Sequence, residues 1–421
     1  MLKKGIINSV ILLLFSHAAL FAQPKTYKFI NGQWFNGKSF VKKTMYSVNG
    51  FFTEKDPASG DSVIDLQNKF AIPPFSEAHT HHLEGIGMPP QQLINSYLKD
   101  GVFYVKNPNN VNFFTNNIRP FINKPTSLDA SFANGGLTAS EGHPMTMFED
   151  QIRPSIEPMT GKTNRGWFHG KAYFTIDSEE MLNEKWDSIM AGKPDFIKVY
   201  LANSEDYGKE GPVSKYQLRK GLNPALLPAI VLKAHKAGLR VAAHVETTAD
   251  FRIAINAGVD ELAHMPGFYL FDKAHINRYI LTDADAKLAA DKKVWVTTTL
   301  SSKTLVEDKT LLEQVAQNQK QNLLLLKKYG VKLAIGSDHA DSPLPEVEEL
   351  YGFKIFDNIS LLTMWCTTSA QNIFPGRKIG YLKEEYEASF LLLDGNPLTD
   401  FWNVKKISLL VKQGNILEQT K

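Results

Sequence analysis

The chain has 421 residues, 43% of them hydrophobic, so it is long enough to bury a large core. Its formal charge is +3, and it falls to +1 once Lys3 and Lys4 are set aside (45 basic residues against 44 acidic), which argues against nucleic acid or an anionic membrane surface as a partner. Cys366 is the sole cysteine, so no intramolecular disulfide can form, and it reads as a small buried hydrophobe.

Lys3 and Lys4 precede an apolar run from Ile6 to Phe15, and small residues follow at Ala18, Ala19 and Ala22. This pattern predicts a secretory signal peptide over residues 1–22, and hence a periplasmic or extracellular protein. The run is shorter than a membrane span needs. No later stretch is long and apolar enough, so no integral membrane segment is expected after cleavage.

Residues 23–72 read as the first part of a small β domain. Tyr27-Lys-Phe-Ile30 and Gln33-Trp-Phe35 flank Asn31-Gly32, a turn signal, and further turns are expected at Asn36-Gly37 and Asn49-Gly50. Residues 73–373 then alternate strand and helix. Strands are expected to begin near 72, 102, 130, 196, 241, 261, 294 and 332. Helices are expected at Glu179–Met190, Pro224–Lys236, Phe251–Ala257, Asp283–Asp291, Leu311–Tyr329 and Ile359–Asn372. The stretches Asn107–Asn117 and Gly135–Pro144 read as loops. Eight strands with intervening helices predict a (β/α)8 TIM barrel. Residues 374–421 return to β signals, and with the N-terminal segment they predict one small β-sandwich-like domain.

Barrel enzymes carry their sites at the carboxyl ends of the strands. His79 and His81 end the first strand, and in an extended segment they share a face. His244 ends the fifth, His264 the sixth, and Gly336-Ser-Asp338 the eighth. Each residue alone has an ordinary explanation as a packed histidine or a turn aspartate; together they predict a metal site. Lys198 lies in the middle of the apolar run Phe196-Ile-Lys-Val-Tyr200, where a cation is costly to bury. It either reaches an acid or reacts, as a neutral amine, with carbon dioxide to give a carbamate that can bridge two cations.

These residues resemble the amidohydrolase superfamily over nearly the whole mature chain. Pro73-Pro-Phe-Ser-Glu-Ala-His-Thr-His81 is similar to that family's Pro-Gly-Phe-Ile-Asp-x-His-x-His, with Pro74, Ser76 and Glu77 in place of Gly, Ile and Asp. Phe-Ile-Lys198, Ala-His244, Leu-Ala-His264 and Gly-Ser-Asp338 match the later motifs. Thr368-Ser-Ala-Gln-Asn-Ile-Phe374 and Ala388-Ser-Phe-Leu-Leu-Leu-Asp394 resemble the closing segment, with Ala388-Ser389 at the usual Ala-Asp. The resemblance implies two divalent metal ions, with zinc the best fit to nitrogen and oxygen donors. His79, His81 and Asp338 would hold one, His244 and His264 the other, and N6-carboxylated Lys198 would bridge them. A hydroxide shared by the metals would be the nucleophile, and Asp338 the general base and then acid.

The strand-four lysine looks most similar to the prolidase-like and imidazolonepropionase-related groups. The Gly135-Gly136…Gly142-His143 stretch resembles a prolidase-like loop, which makes His143 a candidate substrate contact; Tyr200 is a second. His82 and His339 adjoin ligands but should point away, while His169 and His235 stand apart from the chemistry. The resulting expectation is an exported hydrolase of an amide or peptide bond in a small-molecule substrate, with a prolidase-like dipeptidase as the best single substrate guess. Lactones, cyclic amides or phosphoesters would suit the same site, and a catalytically silent metal-containing binding protein is the alternative from another class. A mononuclear deaminase would not need Lys198. A homo-oligomer is compatible with the chain.

Overall fold

The computed structural model describes residues 26–57, 62–84, 88–209, 220–268, 273–306 and 308–418. The segment read as a signal peptide lies outside them. Eight parallel strand positions form a ring: Phe75–Glu77, Val102–Asn107, Asp129–Phe132 continued by Gly136–Thr138, Ile197–Tyr200, Val241–His244, Glu261–Leu262, Trp295–Thr297 and Lys332–Ala334. The third strand is broken at Ala133–Gly135. Its lower part pairs with the second strand and its upper part with the fourth. Where it breaks, Asp195 takes over: its N–H donates to the Phe132 carbonyl (2.8 Å) and its carboxylate accepts the Phe132 N–H (2.8 Å). At the other seam, Ala78 N–H donates to Ile335 O (2.8 Å) and Asp338 N–H to His79 O (2.7 Å), so the eighth strand meets the first. The result is a (β/α)8 barrel carrying a β-rich sheet.

The helices start where the local chemistry starts them. Thr247 accepts from Asp250 N–H while the Asp250 carboxylate accepts from Thr247 N–H, a capping box for Thr248–Ala257; Thr282 and Asp285 do the same for Asp283–Asp291. Thr248–Ala257 therefore begins three residues before the expected Phe251. The helix expected over Ile359–Asn372 exists as three pieces, with a π-helical stretch Met364–Thr368 in its middle.

Other expectations need correcting. Asn31-Gly32 makes no hairpin turn. Asn31 takes a left-handed φ of 55° and the chain runs on as one strand, Tyr27–Phe35, with a bulge against its neighbour. Asn112–Ile118, overlapping the expected Asn-rich loop, is helical, and Gly136–Thr138, inside the other, is strand. The run Phe70–Ile72 belongs to the small sheet; the first barrel strand starts after the two prolines, at Phe75.

The small sheet draws on both ends of the chain. Its order is Asn415–Leu417, Ile407–Lys412, Phe390–Leu393, Phe70–Ile72, Tyr27–Phe35, Phe40–Val48 and Phe51–Thr53, with Ser62–Asp65 also on Tyr27–Phe35. It curls around Phe29, Trp34, Phe52 and Phe390, whose rings meet edge to face, 5.0 Å for Phe29–Phe390 and 5.8 Å for Trp34–Phe52. The sheet is tied to the barrel by a buried charge cluster. Lys412 Nζ lies 2.8 Å from Asp129 Oδ1, at the start of the third strand, and Arg377 pairs with both Asp129 (2.8 Å) and Glu387 (2.7 Å). Removing one member of a buried set strands its partners. Lys412→Met is therefore expected to lower the unfolding free energy by about 3 kcal/mol, read by chemical denaturation. An unchanged midpoint would mean that the cluster contributes nothing net.

Candidate metal centre

The predicted histidines meet at the carboxyl end of the ring. Ring centroids run His81–His79 5.3 Å, His79–His264 4.7 Å, His264–His244 4.6 Å and His244–His143 5.1 Å, so five histidines from four chain segments form a continuous arc. His79 and His81 share a face, as the alternation of an extended segment requires. Each places Nε2 3.3 Å from Asp338 Oδ1, and the donor atoms of these three residues lie within 4.8 Å of one another. Lys198 enters the same cavity and is 1% exposed. That cavity has a volume of about 410 Å³.

Backbone geometry holds Asp338 in place. Its φ is 64°, the left-handed region, which Asp tolerates better than most residues. Glu77, buried beneath, accepts from both His79 N–H (2.9 Å) and Ser337 N–H (3.0 Å), and so pins the first and eighth strand ends together. Thr299, at φ 48°, is the more unusual case because it is β-branched. The turn brings its Oγ1 to 2.9 Å from His264 Nδ1. His81 Nδ1 likewise donates to the Asn109 carbonyl (2.9 Å). Bonding one ring nitrogen this way orients the imidazole and leaves the other for a ligand. Asn109 also donates its Nδ2 to the Tyr200 hydroxyl (2.8 Å), and Ser302 Oγ donates to Asp338 Oδ2 (3.3 Å).

The electrostatics follow from burial. Burial pushes the His79 pKa down to about 4 and that of the Lys198 amine down to about 7, which favours the neutral forms that bind metal and react with carbon dioxide. His264 is held well below its usual value, by burial first and then by His244. Burial works against the Asp338 carboxylate, but the hydrogen bonds of His79 and His81 and the charges of His79 and His264 outweigh it and hold Asp338 well below the ordinary range. For His81 burial pulls down, yet Asp338 leaves the pKa raised.

A metal pair fits this donor set unevenly. In fully buried His79, Nδ1 lacks a hydrogen-bond partner among the described residues and Nε2 meets only the Asp338 carboxylate, an arrangement costly in a protein interior and natural for a ligand. Lys198 Nζ has no hydrogen-bonding or ion-pairing partner among the described residues. His244 is less open: its Nε2 lies 3.2 Å from Glu246 Oε1. Of the two candidate substrate contacts, His143 and Tyr200 both line the cavity, with rings 5.2 Å apart, and the Tyr200 ring lies 5.2 Å from Lys198 Nζ. His82 and His339 also reach the lining, where His82 Nε2 donates to the His339 carbonyl (2.8 Å). His235 pairs with Asp260 (2.9 Å) and His169 with Thr175 (3.2 Å), both away from the cavity.

Sequence reasoning passed over Asn109, Thr299, Ser302 and Glu84. The polar run Thr297-Thr-Thr-Leu-Ser-Ser302 directly after the seventh strand was the available signal. Its fold is reinforced from outside by fully buried Glu346, which accepts from Thr298 Oγ1 and from Ser301 N–H (2.7 Å). Burial pushes the Glu346 pKa from 4.5 up to about 7. The folded protein thus holds a proton there that the unfolded chain has lost, and stability falls as pH rises from about 4.5 to 7. Glu346→Gln is expected to flatten that slope by about 1–3 kcal/mol, read as unfolding free energy at about pH 5 and about pH 8. An unaltered slope would show that Glu346 titrates normally.

Residues 192–417 match the model of the amidohydrolase family. No protein with a curated description matches the chain. Among solved structures, the chain is similar to a prolidase complexed with N-methylphosphonate-L-proline (16% identity, 94% of this chain and 100% of that one, TM-score 0.68), to the ochratoxinase of A. niger (16%, 93% and 95%, TM-score 0.70) and to molinate hydrolase (16%, 95% and 96%, TM-score 0.71). At such identities these likenesses carry the fold, and it is the matched family model, over more than half the chain, that assigns membership. The chain belongs to the amidohydrolase family, metal-dependent hydrolases acting on carbon–nitrogen bonds.

Proposed function

We propose that the protein is an exported binuclear hydrolase of amide or peptide bonds in small molecules, related in substrate type to the prolidase-like members of its family. The observation that carries this reading is the convergence of His79, His81, Lys198, His244, His264 and Asp338 on one cavity at the carboxyl end of the barrel. His79, His81 and Asp338 would hold one divalent ion, His244 and His264 the other, and carboxylated Lys198 would bridge them; zinc suits the donors best. When bound, the ions would supply an activated water and polarise the scissile carbonyl.

The chain's own residues do the rest. Asp338, kept ionised by its histidine neighbours, accepts the proton of the attacking water and passes it to the leaving nitrogen. Tyr200, fixed by Asn109, and His143 stand at the same end of the cavity, placed to donate to the carbonyl oxygen as charge develops on it. Phe268 stacks face to face on His264 at 4.0 Å and keeps that side dry. Export rests on the N-terminal residue pattern alone.

The direct test is metal content. Protein grown with added zinc should carry about two ions per chain, and chelation should abolish amide hydrolysis and lower the unfolding free energy by about 3 kcal/mol or more. Less than one ion per chain at full zinc supply, or activity that survives chelation, would overturn the binuclear reading.

A further inference from the structure

The metal-binding half of the cavity leaves its other half unexplained. There Val111, Phe114, Met147, Phe148 and Ile152 make an apolar wall. They come from the start of the helix after the second strand and from the helical segment after the third. Behind the wall lie Ile156, Phe168 and Tyr173, a separate small hydrophobic core that keeps these helices in place. Set among these apolar groups is one carboxyl, that of Glu84, which is 8% exposed and lines the same cavity.

Glu84 is half used. Its Oε1 accepts the Val111 N–H (3.1 Å), and Oε2 has neither a hydrogen-bond nor an ion-pair partner among the described residues. Oε2 is left open toward the cavity, and since a glutamine would serve Val111 equally well, the local fold does not need the second oxygen or its charge. Burial pushes the Glu84 pKa up to about 8, so the group gains its charge when a donor arrives to hold it. Apolar wall and carboxyl together define what complements them: an apolar side chain with a basic nitrogen close by.

We propose that the substrates are amides of hydrophobic amino acids, with the apolar side chain against the Val111–Ile152 wall and the free amino group held by Glu84. This rests on the hydrolase reading above and narrows it. It makes Glu84 a specificity-determining residue, distinct from the groups that handle the reacting atoms.

The test is a matched pair of compounds, phenylalanine anilide and 3-phenylpropionyl anilide, which differ only in the amino group. Zinc-loaded wild-type protein should favour the amine-bearing compound by about tenfold or more in kcat/KM, since a site built to bond a polar group discriminates against the analogue lacking it. Glu84→Gln keeps the acceptor for Val111 but loses the charge, and should shrink the preference to about twofold or less, chiefly through KM. Phe148→Ala should raise KM for both compounds. Equal wild-type turnover of the pair, or an undiminished preference in Glu84→Gln, overturns the inference and leaves the hydrolase reading standing. If Glu84→Gln does not fold, the wild-type ratio still decides. If neither anilide is turned over, the inference falls, and a panel of other amides and lactones then decides whether the hydrolase reading falls with it.

Discussion

Lys198→Met should give a protein that is more stable without metal and nearly inactive with it. The amine is 1% exposed, in the middle of a strand whose other residues are apolar, and burial holds its pKa near 7 rather than 10.5. A methionine of similar length fills the same space without the desolvation cost, so the metal-free protein should gain about 1–3 kcal/mol in chemical denaturation. Activity should move the other way. With the proposed carbamate bridge removed, bound metal should fall to one per chain or fewer, and kcat/KM by about a thousandfold or more. Opposite signs for stability and activity are the signature of a residue kept for chemistry at the expense of the fold. A Met variant that is less stable and still active would return Lys198 to a structural role.

Asp338→Asn carries the second large effect. Asparagine tolerates the left-handed backbone at φ 64° about as well as aspartate, so the turn should survive and the unfolding midpoint should shift little. What disappears is the carboxylate proposed to shuttle the proton, and kcat should fall by about 10²–10⁴-fold. Asp338→Val, β-branched at the same φ, should add a stability loss of about 1–2 kcal/mol that the Asn variant lacks. Steady-state kinetics with calorimetry on both variants separates the two contributions. If Asp338→Asn retained more than a tenth of wild-type kcat, proton transfer would have to be assigned elsewhere.

The candidate cluster was legible because strand ends are easy to read: His79 with His81, His244, His264 and Asp338 each follow a short strand signal, and period-two alternation says which side chains share a face. The barrel was legible for the same reason, since from the third strand onward short strand signals alternate with helical stretches; the helices after the first two strands, Pro90–Lys99 and Asn112–Ile118, were not read. What failed was local backbone detail decided by tertiary packing. Asn31-Gly32 has the composition of a hairpin turn, yet strands on both flanks pull it into a bulge. Asn112–Ile118 and Met147–Ile152 look like polar or irregular loop, and are helical because Phe114, Phe148 and Phe168 pack together above the barrel. Glu84, Asn109 and Thr299 carry no motif; they matter through what the fold places beside them. Tyr173–Thr175, which extends the barrel sheet beside Gly136–Thr138, is too short to leave a periodic signal.

The sheet made from both ends of the chain has a consequence for how the molecule is assembled. Phe70–Ile72 pairs on one side with Tyr27–Phe35, near in sequence, and on the other with Phe390–Leu393, more than three hundred residues later. Until that last third of the sheet arrives, Phe70–Ile72 is an open edge in an otherwise apolar setting, a template for pairing with another chain. Closing so long a loop is slow, and the nascent protein must pass through a stage in which the barrel residues are present and the clasp is missing. Trimming residues from 390 onward should therefore produce aggregation during refolding rather than a shorter working enzyme, because the final segment is the stopper on an edge made at the start.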